Sequence, residues 1–224
     1  MNFRIEYEDN HLIIVNKRAG LLTQGDQTQD ITLLDEVKQY IKTKYNKPGA
    51  VYLGLIHRLD RPTSGLVVLA KTSKALTRMN KVFQDREVNK SYLAVVENPP
   101  KQQQAVLEHY LVRNPKQNKS YAYDVEKNNS KRAKLEYNVV KNLDRFSVLE
   151  IKLFTGRHHQ IRSQLSAIGS IIKGDLKYGA KRSNKDKSIC LHSYSVEFIH
   201  PVTKEKIYVK AQPFSDTESI WKHI

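Results

Sequence analysis

The sequence predicts an α+β fold: a mainly antiparallel, mixed β-sheet with flanking helices. Two observations carry this. Residues 105 to 155 alternate apolar and polar side chains through AVLEHYLV, SYAYDVE, KRAKLEYNVV and RFSVLEIKLF, separated by polar, turn-rich segments. That is the pattern of antiparallel strands with one face buried. Helical spacing occurs only in isolated runs set among strands, rather than in regular alternation with them. At 224 residues, the chain is long enough to bury a sizeable core and shape a cleft.

Each element has its own local signal. FRIEYED and HLIIVNK read as two short strands joined at Asn10, followed by a loop around Ala19 and Gly20. TLLDEVKQYIKTKY places Leu33, Leu34, Val37, Tyr40 and Ile41 at helical spacing, with Thr32 as N-cap and Pro48–Gly49 as the stop. GLVVLAKT is a continuous apolar strand, and SKALTRMNKVFQD a helix capped by Ser73 with Leu76, Met79 and Phe83 inward. KSYLAVVE is the next strand, ahead of the alternating region. HHQIRSQLSAIG then returns to helical spacing through Ile161, Leu165 and Ile168, opened by Gly156. ICLHSYSVEF and KIYVKA read as strands, and a short helix is expected from about Asp216.

Composition narrows the partner. Lys and Arg number 38 against 23 Asp and Glu, a formal net charge of +15, which favours a polyanion and above all nucleic acid. The most basic stretches, 113–134 and 173–187, read as loops or hairpins, suited to tracking a phosphate backbone or equally to being solvated. The single cysteine, Cys190, rules out an intrachain disulfide and any CxxC metal or redox motif, and its apolar run marks it as a packing residue. The start, MNFRIEYEDN, has no apolar segment of a secretion signal, and no run is long enough to cross a bilayer. A reducing cytoplasm is the expected compartment.

Chemistry concentrates in three places. Asp60 lies between Arg58 and Arg61 in HRLDRPTSG, residues 57–65, where Pro62 and Gly65 give the segment loop character. Flanking guanidinium groups suit a carboxylate used in its ionised form as nucleophile or base; they equally suit a solvated turn charge. TGRHHQIRSQLSAIG carries Arg157, His158, His159, Gln160 and Arg162, fitting contacts to phosphate or to a carboxylate. Its adjacent histidines have no HExxH or zinc-like spacing around them, so they read as solvated on a helix surface, with no metal site. Tyr92 in KSYLAVVE fits a half-buried packing ring or a platform for a nucleobase. There is no GxxxxGK[ST], GxGxxG or GxSxG motif, so phosphate-loop, hydride-transfer and common serine-hydrolase chemistry lack support.

Six segments in order resemble the RluA-type pseudouridine synthases: HRLDRPTSGLVVLAKT, KSYLAVVE, KRAKLEY, TGRHHQIR, IIKGDLKYG and LHSYSVEFIHP. The resemblance runs over nearly the whole chain. It implies the pseudouridine synthase fold as one catalytic domain spanning 1–224, without the small S4-like N-terminal RNA-binding domain of many relatives. It implies a reaction on RNA, ribosomal or transfer, in which uracil is detached from its ribose, rotated, and rejoined through carbon instead of nitrogen. Reactant and product are isomers, so no cofactor is implied, and the protein is expected to act as a monomer. By position, Asp60 is the catalytic aspartate, Tyr92 the tyrosine against which the base packs, and Arg162 the partner of the Asp60 carboxylate. Arg58, His57, Arg157 and Lys17 fall at RNA-binding positions, with Arg58 suited to fill the gap left by a flipped base. The chain departs from the family pattern at Arg18, where proline is usual, and at Ser163 and Gln164, where valine and histidine are. Local loop shape and RNA contacts are the properties those departures touch.

Two other readings compete. A noncatalytic RNA-binding protein on the same scaffold would keep the charge without needing Asp60, Tyr92 and Arg162 together. A metal-dependent nuclease would need a ligand set that the sequence does not assemble.

Overall fold

FRIEYED and HLIIVNK form β1 (Phe3–Glu8) and β2 (Leu12–Lys17), which pair antiparallel with a register shift between Ile5 and Tyr7. The turn between them is set by Asp9, whose Oδ1 accepts the His11 and Leu12 N–H groups at 2.7 Å each. An aspartate folding back on its own main chain is standard turn chemistry. The computed structural model describes residues 1–25, 27, 29–214 and 219–223, in two compact units: Met1–Val88 with Ser193–Pro213, and Asn89–His192 with Phe214–Ile224.

In the first unit the sheet order is β1-β2-β4-β10, with β4 at Ser64–Ala70 and β10 at Leu191–Ile199. β3 (Gly54–Leu55) pairs with β4, and β11 (Lys206–Lys210) with β10. All six residues of β2 and all seven of β4 are buried, which is why LIIV and LVVLA run continuously apolar rather than alternating. Leu12, Ile14, Leu66 and Val68 pack with Val196, Phe198, Ile207 and Val209 into one core. Helix α1 (Leu33–Lys44) is capped by Thr32, whose hydroxyl accepts the Asp35 N–H while the Asp35 carboxylate accepts the Thr32 N–H. This capping box satisfies two N–H groups that a helix start otherwise leaves bare. The helix stops before Pro48, at Tyr45, and Asn46 follows at φ 48°. Helix α2 (Ser73–Gln84) buries Ala75 and Met79, and Leu76, Val82 and Phe83 lean on the same core. Its N-cap is Thr72 rather than Ser73: Thr72 is the extended residue, and its hydroxyl accepts the Ala75 N–H.

The second unit is an antiparallel sheet with strand order β5-β9-β8-β6-β7. Its strands are β5 (Asn89–Val96), β6 (Gln104–Asn114), β7 (Lys119–Tyr123), β8 (Lys131–Asn142) and β9 (Ser147–Leu153). Basic stretch 113–134 is the β6–β7 hairpin with the approach to β8, while 173–187 is loop apart from a single 3-10 turn, Leu176–Tyr178. Cys190 is buried, as a packing residue should be.

Helix α3 (Gln160–Ala167) departs from the expected form. It begins after the histidines, because His159 takes the left-handed conformation at φ 52° and Arg157 and His158 stay in the preceding turn. Nor does it bury a single stripe. Gln160 through Leu165 are all buried, while Ile168, expected inward, is only half-buried. The polar members have partners: Gln164 Nε2 donates to Leu107 O at 3.1 Å and meets His109 Nδ1 at 3.0 Å, and Ser163 Oγ donates to Gln160 O at 3.0 Å. Two departures from the family pattern, Ser163 and Gln164, therefore act inside the fold. A 3-10 turn occupies Ser219–His223; the expected helix start at Asp216 lies outside the described residues. Among the described residues, no helix is long and apolar enough to cross a membrane.

Candidate active site

Asp60 sits half-buried in a turn, with its main-chain oxygen accepting the Thr63 N–H at 3.0 Å. A second loop, residues 18–23, holds that turn at the residues on either side of Asp60. Thr23, buried, donates its hydroxyl proton to Leu59 O at 2.9 Å and accepts the Leu59 N–H at 3.3 Å. Gly20 N–H donates to Arg61 O at 2.8 Å, and Arg61 Nε returns a bond to Gly20 O at 3.0 Å. Leu59 is itself buried, so Asp60 stands on a segment anchored from both sides of its own residue. Gly65 closes the segment at φ 114°, where an added Cβ would strike the Ser193 backbone.

Lys17, expected at an RNA contact, is wholly buried. Its ammonium donates to Leu21 O at 2.9 Å, Arg18 O at 3.0 Å and, more weakly, Arg61 O at 3.4 Å, tying the 18–23 loop to the Asp60 turn. Burial pushes this ammonium down to about 7; the Asp60 charge pulls the other way and Arg61 adds to the fall. His57 is also drawn into the fold. Its Nε2 accepts the Val68 N–H at 3.0 Å, which assigns the ring proton to Nδ1 in the neutral form, and its ring stacks on Phe83 at 4.9 Å. Arg58 alone of this group is exposed.

In the second unit, Tyr92 lies on β5 opposite Ile151 of β9, which in turn faces Tyr137 of β8, so the three share one sheet face. Tyr92 is buried to 7% exposure. Lys90, two residues earlier on the same face of β5, has its ammonium driven below the usual lysine range by burial. The sequence reading missed it, although the period of two in KSYLAVVE places it beside Tyr92.

Arg162 is 5% exposed and meets Asp175, 1% exposed, side-on: Nε to Oδ2 at 2.7 Å and Nη2 to Oδ1 at 2.8 Å. This fork-to-fork pair uses two of the five guanidinium N–H donors. Asp175 belongs to IIKGDLKYG, a segment whose resemblance had no residue role attached. Arg157 is half-buried and anchors through Nε to Arg132 O at 3.2 Å, while its own N–H donates to Gln160 Oε1 at 3.0 Å. The two histidines are not solvated as expected. His159 is buried with Nδ1 3.0 Å from the Tyr178 hydroxyl, and His158 meets Ser120 Oγ at 2.9 Å and Asn118 Oδ1 at 3.1 Å. They find partners because the turn before α3 lies against β7. Among the described residues, no set of three His, Cys, Asp or Glu side chains is grouped to hold a metal ion.

Comparison with known proteins identifies the architecture. Two human proteins share the fold: RNA Pseudouridylate Synthase Domain Containing 4, with TM-score 0.82 at 22% identity over 98% of this chain and 91% of that one, and Domain Containing 1, with TM-score 0.77 at 24% identity over 97% and 87%. Residues 11–167 match the RNA pseudouridylate synthase family. A ribosomal large subunit pseudouridine synthase D of Zymomonas mobilis is 32% identical over 97% of this chain and 71% of its own length. A ribosomal large subunit pseudouridine synthase C of Buchnera aphidicola is 30% identical over 93% and 66%. The chain thus spans about two thirds of the length of these relatives. It belongs to the RluA-type RNA pseudouridine synthases, a family of isomerases, and this membership favours the catalytic reading over a noncatalytic RNA-binding scaffold.

Proposed function

We propose that this chain converts specific uridines of ribosomal RNA to pseudouridine, as a cytoplasmic monomer. Ribosomal RNA is favoured by the names of the relatives, and the formal +15 charge suits a phosphate-rich substrate. Asp60 is the reacting carboxylate. The observation that carries this is the Asp60 turn itself: a half-buried acid on a segment fixed by Thr23, Gly20 and a buried lysine, which is far more anchoring than a solvated turn charge requires. Such anchoring supplies the fixed geometry that a reacting group needs.

Tyr92 offers its ring to the uracil, and Arg162 supplies fixed positive charge to the reaction. Arg58, exposed, reaches the RNA and occupies the gap when the target base turns out, a step of a few kcal/mol. Arg157 contacts phosphate. Lys17 and His57 serve the RNA indirectly, by holding the loop from which Arg58 and Asp60 project. The two compact units work as a single catalytic domain.

The test has two parts. Pseudouridine is mapped across total RNA from cells with and without the gene, and the expected loss falls in ribosomal RNA; loss confined to transfer RNA would redirect the substrate. Asp60→Asn is then assayed on the mapped RNA. It should abolish turnover while RNA affinity stays within about threefold, because phosphate contacts lie on other residues. Turnover near the wild-type rate would remove Asp60 from the chemistry.

A further inference from the structure

We infer that Asp175 is a positioning residue for the isomerisation, holding the Arg162 guanidinium in one orientation and balancing part of its charge. The inference rests on the reading that Arg162 serves the reaction. A buried guanidinium needs a counter-charge, yet charge alone does not require a side-on fork with both bonds at 2.7–2.8 Å. A lone charge would be met by any nearby carboxylate oxygen. The fork fixes the guanidinium plane as well.

The surrounding segment is built to present that carboxylate. Gly174, at φ 86°, lets the chain pass Ser188 and Asn184 so closely that a Cβ would lie 2.7 Å from Ser188 O and 2.8 Å from Asn184 Nδ2. Asp175 O accepts the Tyr178 and Ala180 N–H groups at 3.0 Å each, and its own N–H donates to Ile172 O at 3.0 Å. The main chain on both sides of the carboxylate is therefore pinned. Gly179, at φ 106°, ends the turn.

Tyr178 is the second part of the clamp. Its ring centroid lies 5.0 Å from Arg162 Cζ and 5.0 Å from Lys119 Nζ, so it takes up positive charge by cation–π contact. Its hydroxyl accepts the Ser120 N–H at 2.9 Å, donates to Ser120 O at 3.1 Å and meets His159 Nδ1 at 3.0 Å. The ring is thereby fixed to β7 and to the residue that starts α3. Arg162 sits between two groups, carboxylate and ring, each of which is tied to main chain outside its own helix. This is how an otherwise flexible side chain is held to a narrow range of positions.

The test compares Asp175→Asn, which keeps the shape and removes the charge, with Asp175→Glu, which keeps the charge and moves it by one methylene. The wild-type chain is first shown to form pseudouridine in the mapped RNA, so that failure of the functional reading appears there and not in the variants. Single-turnover rates at saturating enzyme are then measured, normalised to the folded fraction from circular dichroism, with RNA affinity measured separately. Both variants should slow the reaction, by roughly 10²-fold for Asp175→Asn and at least about tenfold for Asp175→Glu, with RNA affinity within about threefold. In Asp175→Asn the acidic limb of the pH–rate profile should also move, since the variant removes a negative charge from beside the Arg162 guanidinium. A purely structural residue would lower the melting temperature and the folded fraction but leave normalised rate and pH limb unchanged. That result overturns the inference, and so does failure of both variants to fold, which would place the pair in fold stability alone.

Discussion

Replacing Lys17 by methionine should remove one pH-dependent contribution to the stability of this protein, between pH 7 and 10.5. The ammonium is wholly buried, and its value falls from 10.5 to about 7. In the unfolded chain the same group stays protonated up to its ordinary value. Between pH 7 and 10.5 the unfolded state therefore binds more protons than the folded state, and stability rises with pH across that interval. Below pH 7 both states are protonated, and the full penalty of burying the charge is present. That fall corresponds to on the order of 5 kcal/mol between the two ends of the window.

Methionine removes the titrating group and withdraws three donated bonds, from Arg18 O, Leu21 O and Arg61 O, although Arg61 O keeps the Gly20 N–H. Lost buried bonds cost about 1–3 kcal/mol each. At pH 6 the relieved burial of charge offsets much of that loss, and the variant should lie within about 2 kcal/mol of the wild type. At pH 10 no such offset remains, and it should be less stable by about 3–6 kcal/mol. Urea unfolding of both proteins at intervals from pH 6 to 10 measures this, with the difference between the two curves isolating Lys17 from every other titrating group. Curves that run parallel within about 1 kcal/mol would refute the reasoning, because they would mean that the ammonium keeps its ordinary proton affinity in the folded state.

Two further outcomes follow from the same unit. Gly65→Ala should leave little folded protein, since φ 114° is strained for any side chain and the added Cβ would lie 2.7 Å from Ser193 Cα and against its backbone oxygen and nitrogen; a melting temperature within a few degrees of wild type would contradict that geometry. Glu8 gathers Lys44 at 2.7 Å, Lys71 at 2.8 Å and the hydroxyls of Tyr45 and Tyr40 at 2.9 and 3.0 Å. Burial raises its carboxyl, but the bonds from Lys44, Lys71 and the tyrosines outweigh it and bring it to about 2. Its stabilisation is thus present above the ordinary value of 4.5 and lost as pH falls toward 2. Glu8→Gln should lower the melting temperature at pH 7 and flatten its fall between pH 4.5 and 2, read by thermal unfolding at each pH.

Local patterns in the sequence determined most of the elements and the order in which they come. Alternation through 105–155 encodes four strands, and the spacing of Leu33, Val37 and Ile41 with Thr32 before them encodes a capped helix, because both signals lie within a few residues of one another. The resemblance in HRLDRPTSG and TGRHHQIR located the candidate acid and arginine. What surrounds those residues was decided only by tertiary structure. Lys17 and His57 read as polar residues near a basic motif, and the fold buries one against three carbonyls and turns the other into an acceptor for a strand N–H. Thr23 holds Leu59 from 36 positions away, and Arg162 meets Asp175 across 13. The apolar spacing of α3 suggested one buried stripe, whereas its polar residues are buried as well. Burying a polar side chain is costly unless a partner compensates its lost water, and the partners found here come largely from segments that local periodicity does not connect.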